Sequence, residues 1–264
     1  MQKLIIKGKK EISGTIFISG SKNATLPILA ASLFVDEAKL SNVPLVKDIF
    51  TMVELLKFIG INIKIKNNKK IIELQNKKKK INTLAPYKLV KTMRAGILVL
   101  GPLLAKFGSA KVSLPGGCAI GTRPVDIHLK ALSKLGARYK IVQGYVYATA
   151  PKGLVGSKID FPKISVGATE NLIIAASFAK GTTILKNCAI EPEIKDLVSF
   201  LVKMGSNIKW IGKRSLKIIG VSEMKEITYS VMFDRIETGT YLVAAAVTEG
   251  NLKIKNVIPK VIQT

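Results

Sequence analysis

The 264 residues are 48% hydrophobic, enough apolar material for one large domain or two modest ones. The longest clean apolar run, Ala95 to Ala105, is 11 residues against the roughly 20 that span a bilayer, and the opening MQKLIIKGKKEI lacks the apolar stretch of a secretory signal, so a cytoplasmic chain without a membrane partner is expected. Two cysteines and one histidine supply neither a disulfide framework nor a zinc site, and the formal charge of +25 comes from lysines spread along the chain with few aromatics among them, which fits an anionic substrate better than a nucleic acid.

Taken in chain order, Phe17–Ile28 (FISGSKNATLPI) reads as a strand end passing into a helix through Ser21, Lys22 and Asn23. A lysine just ahead of a helix N-terminus suits an anion, because its ammonium and the unbonded N–H groups point at one place; Ser and Asn there are also ordinary helix caps. The stretch ATLPILAASLF that follows is small and apolar nearly all round, as expected of a helix at a domain centre. Val43–Ile65 shows a proline, about three turns of apolar periodicity, Gly60 and an alternating stretch, which is helix, glycine cap, strand. The lysine-rich runs Lys66–Lys70 and Asn76–Lys80 flank IIEL and read as solvated hairpin ends.

Arg94 opens a second apolar helix, RAGILVLGPLLA. Ser113–His128 (SLPGGCAIGTRPVDIH) has no helical or strand period and reads as a working loop. Its glycines let the backbone approach a ligand, and Cys118, beside Arg123 and free N–H groups, has the surroundings that bring a thiol pKa from about 8.5 toward neutrality and make it a proton donor. Arg123–Ile141 repeats the proline, helix, glycine, strand plan with Gly136. Lys163–Asn171 starts another helix, with backbone amides available around Val166 and Gly167, and leads into ATENLIIAASFAKG. Cys188 reads as a buried small hydrophobe. Glu191–Ile211 is a third copy of the plan with Gly205, and Arg235, in DRIETGT, stands before the next apolar helix as Arg94 does. Arginine offers the planar, bidentate grip on phosphate or carboxylate that lysine lacks.

The three copies are an internal repeat. The third, fourth and fifth residues after each glycine are Ile63, Lys64, Ile65; Tyr139, Lys140, Ile141; and Ile208, Lys209, Trp210, giving each strand one apolar face and one lysine face. A fourth start is visible in ETGTYLVAAAVTEGNLKIKNVIP, where Gly250 matches Gly181 at an offset of 69, placing the next capping glycine at position 274. Periodicity therefore predicts a chain cut inside its fourth repeat, with a helix and strand lacking their burial partners. Amphipathic strands fit sheets outside and helices inside, an α/β fold that is not doubly wound.

Together SGSKNATLPILAASL, MRAGILVLGPLLAKFG, LPGGCAIGTRPVDIHLKALSKLGA, SVGAT, EPEI and DRIETGTYLVAAA resemble the UDP-N-acetylglucosamine enolpyruvyl transferases, across the whole chain, and the Cys loop separates them from the sister 5-enolpyruvylshikimate-3-phosphate synthases. The resemblance implies an inside-out α/β barrel fold of repeated βαβαββ units in two domains: residues 22–232 a complete first domain, and residues 1–21 with 233–264 part of a second. It implies transfer of the enolpyruvyl group of phosphoenolpyruvate to the 3′-hydroxyl of UDP-N-acetylglucosamine, releasing phosphate, at the first committed step of peptidoglycan synthesis, with no cofactor and no metal. By motif, Cys118 would protonate C3 of phosphoenolpyruvate and can form a covalent adduct with it, with Lys22 also catalytic. Lys22, Asn23 and Arg123 would hold phosphoenolpyruvate. Asn23, Arg94, Arg123, Pro124, Val125, Asp126, Ile127, Lys163, Ile164, Ser165 and Val166 would hold the nucleotide sugar. Family members continue past position 264 with an aspartate base and further arginines. An inactive remnant that binds the nucleotide sugar, and a basic binding protein on the same fold, are the alternatives.

Overall fold

A computed structural model describes residues 3, 5, 7, 8, 10–76, 81–116 and 125–262. Strand β1 (Ser13–Phe17) comes first, followed by helix α1 (Lys22–Ala31), β2 (Glu37–Ser41), α2 (Lys47–Ile59), β3 (Asn62–Lys66) and β4 (Ile71–Gln75). A second run follows: β5 (Leu84–Ala85), a short α3 (Tyr87–Val90), a 3-10 stretch Arg94–Val99 continuing into α4 (Leu100–Phe107), β6 (Ser109–Ser113), α5 (Asp126–Lys134), β7 (Arg138–Val142) and β8 (Tyr145–Thr149). The third is β9 (Lys158–Asp160), α6 (Val166–Ala176), β10 (Thr182–Lys186), α7 (Pro192–Lys203), β11 (Asn207–Gly212) and β12 (Ser215–Ile219). Then come β13 (Ile227–Ser230), α8 (Arg235–Val247) and β14 (Asn251–Lys255).

Three four-stranded sheets share one topology, β13-β2-β4-β3, β5-β6-β8-β7 and β9-β10-β12-β11. In each, the first pair is parallel and the other two pairs are antiparallel. These are βαβαββ units, and the first of them takes its opening strand, β13, from far down the chain. The helices α1 and α6 are buried along almost their whole length, and α4 buries Leu100–Leu104, so helices fill the centre and sheets stand outside. Each sheet has one apolar face to bury and each inner helix is apolar all round, so this arrangement removes more apolar surface from water than its inverse.

The glycines of the repeat do what their positions require. Gly60, Gly136 and Gly205 follow α2, α5 and α7 with φ of 125°, 95° and 103°, the left-handed region that closes a helix without a Cβ clash. A recurring asparagine marks the unit as well: Asn42, Asn187 and Asn256 follow β2, β10 and β14 with φ of 55°, 57° and 62°. Their side-chain amides donate to the carbonyls of Val231, Phe161 and Ile18 just past the neighbouring parallel strands β13, β9 and β1. Asn tolerates this conformation because its short amide can hydrogen-bond locally.

Elsewhere the structure departs from the sequence reading. The second apolar helix is 3-10 up to Val99, because Pro102 has no N–H and the Gly101 N–H goes to the Asn171 side chain at 2.8 Å, leaving the first α-helical bonds unmade. The predicted two-faced strand holds in β3 and β11 but fails in β7, where Tyr139 and Ile141 are 41% and 51% exposed although all three strands lie at the same edge of their sheets. Gly250 does not share the left-handed conformation of Gly181; Glu249 adopts it instead, with φ 52°, and Gly250 is required because a Cβ there would meet the Ile12 carbonyl oxygen at 2.2 Å. The run Lys66–Lys70 is the β3–β4 connection, as expected, while 77–80 lie outside the described residues.

β1, α8 and β14 form a parallel β-α-β piece of their own. Only Thr238 of α8 is buried, whereas Leu242, Val243 and Val247 are exposed, the last by 75%. Two connections join this piece to the rest side by side. Ser21 N–H donates to the Met232 carbonyl at 2.8 Å, and Asp234 N–H to the Ser19 carbonyl at 2.9 Å, around a bridge between Gly20 and Phe233. Among the described residues no helix is long and apolar enough to cross a membrane.

Candidate active site

Where the N-terminal ends of α1, α6, α7 and α8 converge with the 3-10 stretch, a cavity of about 370 Å³ opens. Lys22, Asn23, Arg94 and Val166 line it, as do Asp48, His128, Gly167, Glu170, Glu191, Glu193 and Arg235. The local sequence explains the arrangement. Ser21 caps α1, accepting from the Ala24 N–H at 3.3 Å, and so aims the first turn, with Lys22 and Asn23, at the cavity. Ser165 caps α6 in the same way, accepting from Ala168 N–H at 3.3 Å, and puts Val166 and Gly167 at the wall, their N–H groups ahead of the first intrahelical bond. Asp234 caps α8 through bonds from Ile236 and Glu237 N–H at 2.8 and 3.0 Å, which presents Arg235.

The cations are steered by carboxylates. Lys22 Nζ is 3.0 Å from Asp48 Oδ2 in a partly exposed pair. Arg235 Nε donates to both oxygens of Glu193, at 3.0 and 3.2 Å, and Glu193 is 3% exposed, so the second connection is pinned to α7 across the cavity. Helix N-termini together with fixed cations are the ordinary means of holding a phosphate or carboxylate.

His128 is 2% exposed and held at about pKa 4, first by burial and then by the Arg94 charge, with Asp126 pulling the other way. Its Nδ1 faces the Asn171 side-chain nitrogen at 3.2 Å; that nitrogen can only donate, so the neutral ring carries its proton on Nε2. Asn171 also donates to the Ile97 carbonyl at 3.1 Å and accepts from Gly101 N–H, tying α6 to the stretch that presents Arg94. A Cβ on Gly167 would stand 3.3 Å from His128 Cε1, so the glycine lets α6 start against the ring. Glu170, 5% exposed, has its carboxyl held well above the usual carboxylate range by burial and by the nearby Glu193 and Glu191.

Of the residues expected from sequence, Lys22, Asn23, Arg94 and Val166 meet in the cavity. Ser165 stands behind Val166 as the cap; Lys163 and Ile164 are exposed on the approach to α6. Val125 and Ile127 turn their side chains into the core, and Asp126 is exposed at the start of α5, 3.9 Å from Lys130. Cys118, Arg123 and Pro124 lie outside the described residues. Cys188 is fully buried and its thiol is pushed up to about 12 by burial, an unreactive packing residue. Glu170, Glu193 and His128 also line the cavity, although the sequence reading gave none of them a role there. Glu193 is a carboxylate in the first turn of an amphipathic helix, where the usual reading is a dipole partner, while Glu170 stands past the first turn of a helix that is otherwise mostly apolar.

The family profile for EPSP synthase (3-phosphoshikimate 1-carboxyvinyltransferase) matches residues 6–264. The chain belongs to that family. Within the EPSP synthase family it is 66% identical over 265 residues to the UDP-N-acetylglucosamine 1-carboxyvinyltransferase of Pelagibacter ubique (strain HTCC1062), covering 100% of this chain and 63% of that one. It is 49% identical to the protein of the same name from Psychrobacter sp. (strain PRwf-1), covering 100% and 61%. The chain thus spans about three fifths of the length of these relatives. Its fold is similar to the crystal structure of the enolpyruvyl transferase NikO from Streptomyces tendae, with TM-score 0.79 at 20% identity over 89% of this chain and 55% of that one. EPSP synthase from Acinetobacter baumannii aligns with TM-score 0.76 at 17% identity, over 96% and 57%. These likenesses place the chain in the inside-out α/β fold of the EPSP synthase family.

Proposed function

We propose that the chain carries the catalytic cavity of a UDP-N-acetylglucosamine enolpyruvyl transferase, within a peptidoglycan-synthesising enzyme of the cytoplasm. The observation that carries the reading is the convergence of Lys22, Asn23 and Arg94 with the amide-rich start of α6 in one cavity. Lys22 and Arg94 provide fixed cations for the carboxylate and phosphate of phosphoenolpyruvate, and such preorganised charge stabilises a transition state in which negative charge moves toward the leaving phosphate. Cys118 supplies the proton to C3 of phosphoenolpyruvate as the sugar 3′-hydroxyl adds to C2 and gives up its own proton to a base, and the thiol can hold a covalent adduct; phosphate then leaves C2 of the tetrahedral intermediate as C3 loses a proton, which restores the double bond in the enolpyruvyl ether. Arg123 joins the grip on phosphoenolpyruvate, and the segments Arg123–Ile127 and Lys163–Val166 take the uridine nucleotide, with Pro124, Val125 and Ile127 acting through the backbone. In this reading residues 22–232 form one domain, and residues 1–21 with 233–264 belong to a second. The 66% identity along the whole chain to a relative of that name supports the substrate assignment over the shikimate branch.

The test is phosphate release from phosphoenolpyruvate with and without UDP-N-acetylglucosamine. Release that requires the nucleotide sugar and disappears in Cys118→Ala supports the proposal. Release driven instead by shikimate 3-phosphate, or indifferent to Cys118, overturns it.

A further inference from the structure

Arg235 stands on α8, a helix with little packing of its own, so the place of this cation in the cavity depends on what holds the connection leading to it. Up to Val231 that connection is held by the first sheet. Val231 N–H donates to the Ser41 carbonyl at 3.1 Å, and the Val231 carbonyl accepts from the Asn42 side chain at 2.9 Å. From Met232 onward the holding passes to α7. Met232 N–H donates to Asp196 Oδ2 at 3.2 Å, and Arg235 is gripped by Glu193, three residues before Asp196 and so on the same face of that helix. The Met232 carbonyl in turn accepts the Ser21 N–H at 2.8 Å, and Ser21 is the cap directly ahead of Lys22. Met232 thus joins Asp196 on one side to the start of α1 on the other.

Asp196 is held in place for this contact. Its Oδ1 accepts from the Tyr229 hydroxyl at 2.6 Å, and the Tyr229 ring meets Phe200 edge-on with centroids 5.2 Å apart and has Lys203 Nζ 5.0 Å from its centre. Both carboxyl oxygens therefore accept, the pattern of the ionised form. Burial works against that form and raises the carboxyl above its ordinary range, while the bonds from Tyr229 and Met232 pull it back down. An acid kept at this position on α7 against burial supplies what an apolar residue there would not, a fixed acceptor for the Met232 amide. We propose that Asp196 is a positioning residue for the cations Lys22 and Arg235, holding Met232 so that both connections enter the cavity in one register. It acts without touching substrate. The inference rests on the transferase reading of the cavity, in which Lys22 binds phosphoenolpyruvate.

The test compares the unaltered chain with Asp196→Ala, Asp196→Glu, Asp196→Asn and Tyr229→Phe by two readouts: hydrogen exchange of the Ser21 and Met232 amides, and calorimetric affinity for phosphoenolpyruvate in the presence of UDP-N-acetylglucosamine. In Asp196→Ala both amides exchange about tenfold faster, the size of one hydrogen bond to a charged acceptor, and phosphoenolpyruvate binds about fivefold more weakly. The affinity for UDP-N-acetylglucosamine alone stays within about twofold. Asp196→Glu keeps the charge but sets it one methylene away, and gives the same losses should the alanine variant not fold. Asp196→Asn keeps an oxygen for Met232 and turns its amide to the Tyr229 hydroxyl oxygen, so both readouts return to within about twofold of the unaltered chain. Tyr229→Phe melts at a lower temperature yet leaves Met232 on Asp196 and moves neither readout by more than about twofold, which separates positioning from stability. Unchanged exchange in the alanine and glutamate variants, faster exchange without weaker phosphoenolpyruvate binding, or affinity that simply follows melting temperature across the series overturns the inference and leaves the transferase reading standing. An unaltered chain that binds no phosphoenolpyruvate overturns both.

Discussion

The chain contains one histidine, so the protonation of His128 can be followed without assignment by mutation. The ring is almost fully buried, accepts from Asn171, and lies near the Arg94 charge; its pKa is about 4 against an ordinary 6.5. A depressed histidine contributes stability that is fully present above pH 6.5 and is lost as the pH falls through 4. A shift of about 2.5 units corresponds to roughly 3 kcal/mol, a sizeable part of the 5–15 kcal/mol by which a domain is stable. The imidazole nuclear magnetic resonance signals of the folded chain are expected to keep the neutral form, protonated on Nε2, down to about pH 5 and to move only near pH 4. In 8 M urea the same signals should titrate at the ordinary value near 6.5. Urea unfolding followed from pH 7 to 4.5 should show the unaltered chain losing stability relative to His128→Gln, with the difference growing steadily below pH 6.5. A folded-state midpoint at or above 6, or a difference between the two proteins that is flat across this range, would refute the argument that burial and Arg94 dominate over Asp126.

Asn171→Ala removes the acceptor of Gly101 N–H and the donor to His128 Nδ1, two buried groups whose loss costs about 4 kcal/mol together and lowers the melting temperature by about 10 °C; a drop of under about 3 °C in calorimetry would contradict it. Arg235→Met leaves the Glu193 carboxylate buried beside Glu170, and should lose about 3 kcal/mol in denaturant unfolding at pH 7.5, recovered in the double variant with Glu193→Met. Gly20→Ala places a Cβ 1.6 Å from the Asn42 carbonyl oxygen and should yield little soluble protein. Gly136→Ala meets open space and suffers only its φ of 95°, a loss of about 1–2 kcal/mol that leaves expression intact, and equal yields of the two proteins would count against the close-packed connection.

Much of this architecture is legible in the residues because the repeat is written in glycines and periodicity. Gly60, Gly136 and Gly205 each carry a backbone demand that other residues meet only with strain, and the all-round apolar stretches leave little choice but the centre. Less visible is what depends on distant partners. Part of the donor deficit that turns Arg94–Val99 into a 3-10 stretch comes from Asn171, more than 70 residues on, and β7 is exposed on both faces although β3 and β11, at the same edge of their sheets, are not. The donation of β13 to the first sheet cannot be found by spacing, since pairing partners that far apart share no local pattern. In the site, Lys22, Asn23 and Arg94 stand out because a cation before a helix has a physical meaning on its own. Glu170 looks like a solvated helix residue until burial shows otherwise.

The position of β13 also sets a schedule for synthesis. The edge of β2 that β13 covers is made near residue 40, and its partner follows at residues 227–230. At about 5–20 residues per second, translation leaves that edge uncovered for about 10–40 seconds, long after its hairpin partner β4 has emerged. During that interval the first sheet is a three-stranded template with an open parallel edge, competent to pair with any extended segment nearby. A nascent chain of this protein therefore has reason to be met by a chaperone before residue 230 and released after it, and a pause in translation between β12 and β13 would lengthen the time at risk more than a pause anywhere upstream of β2.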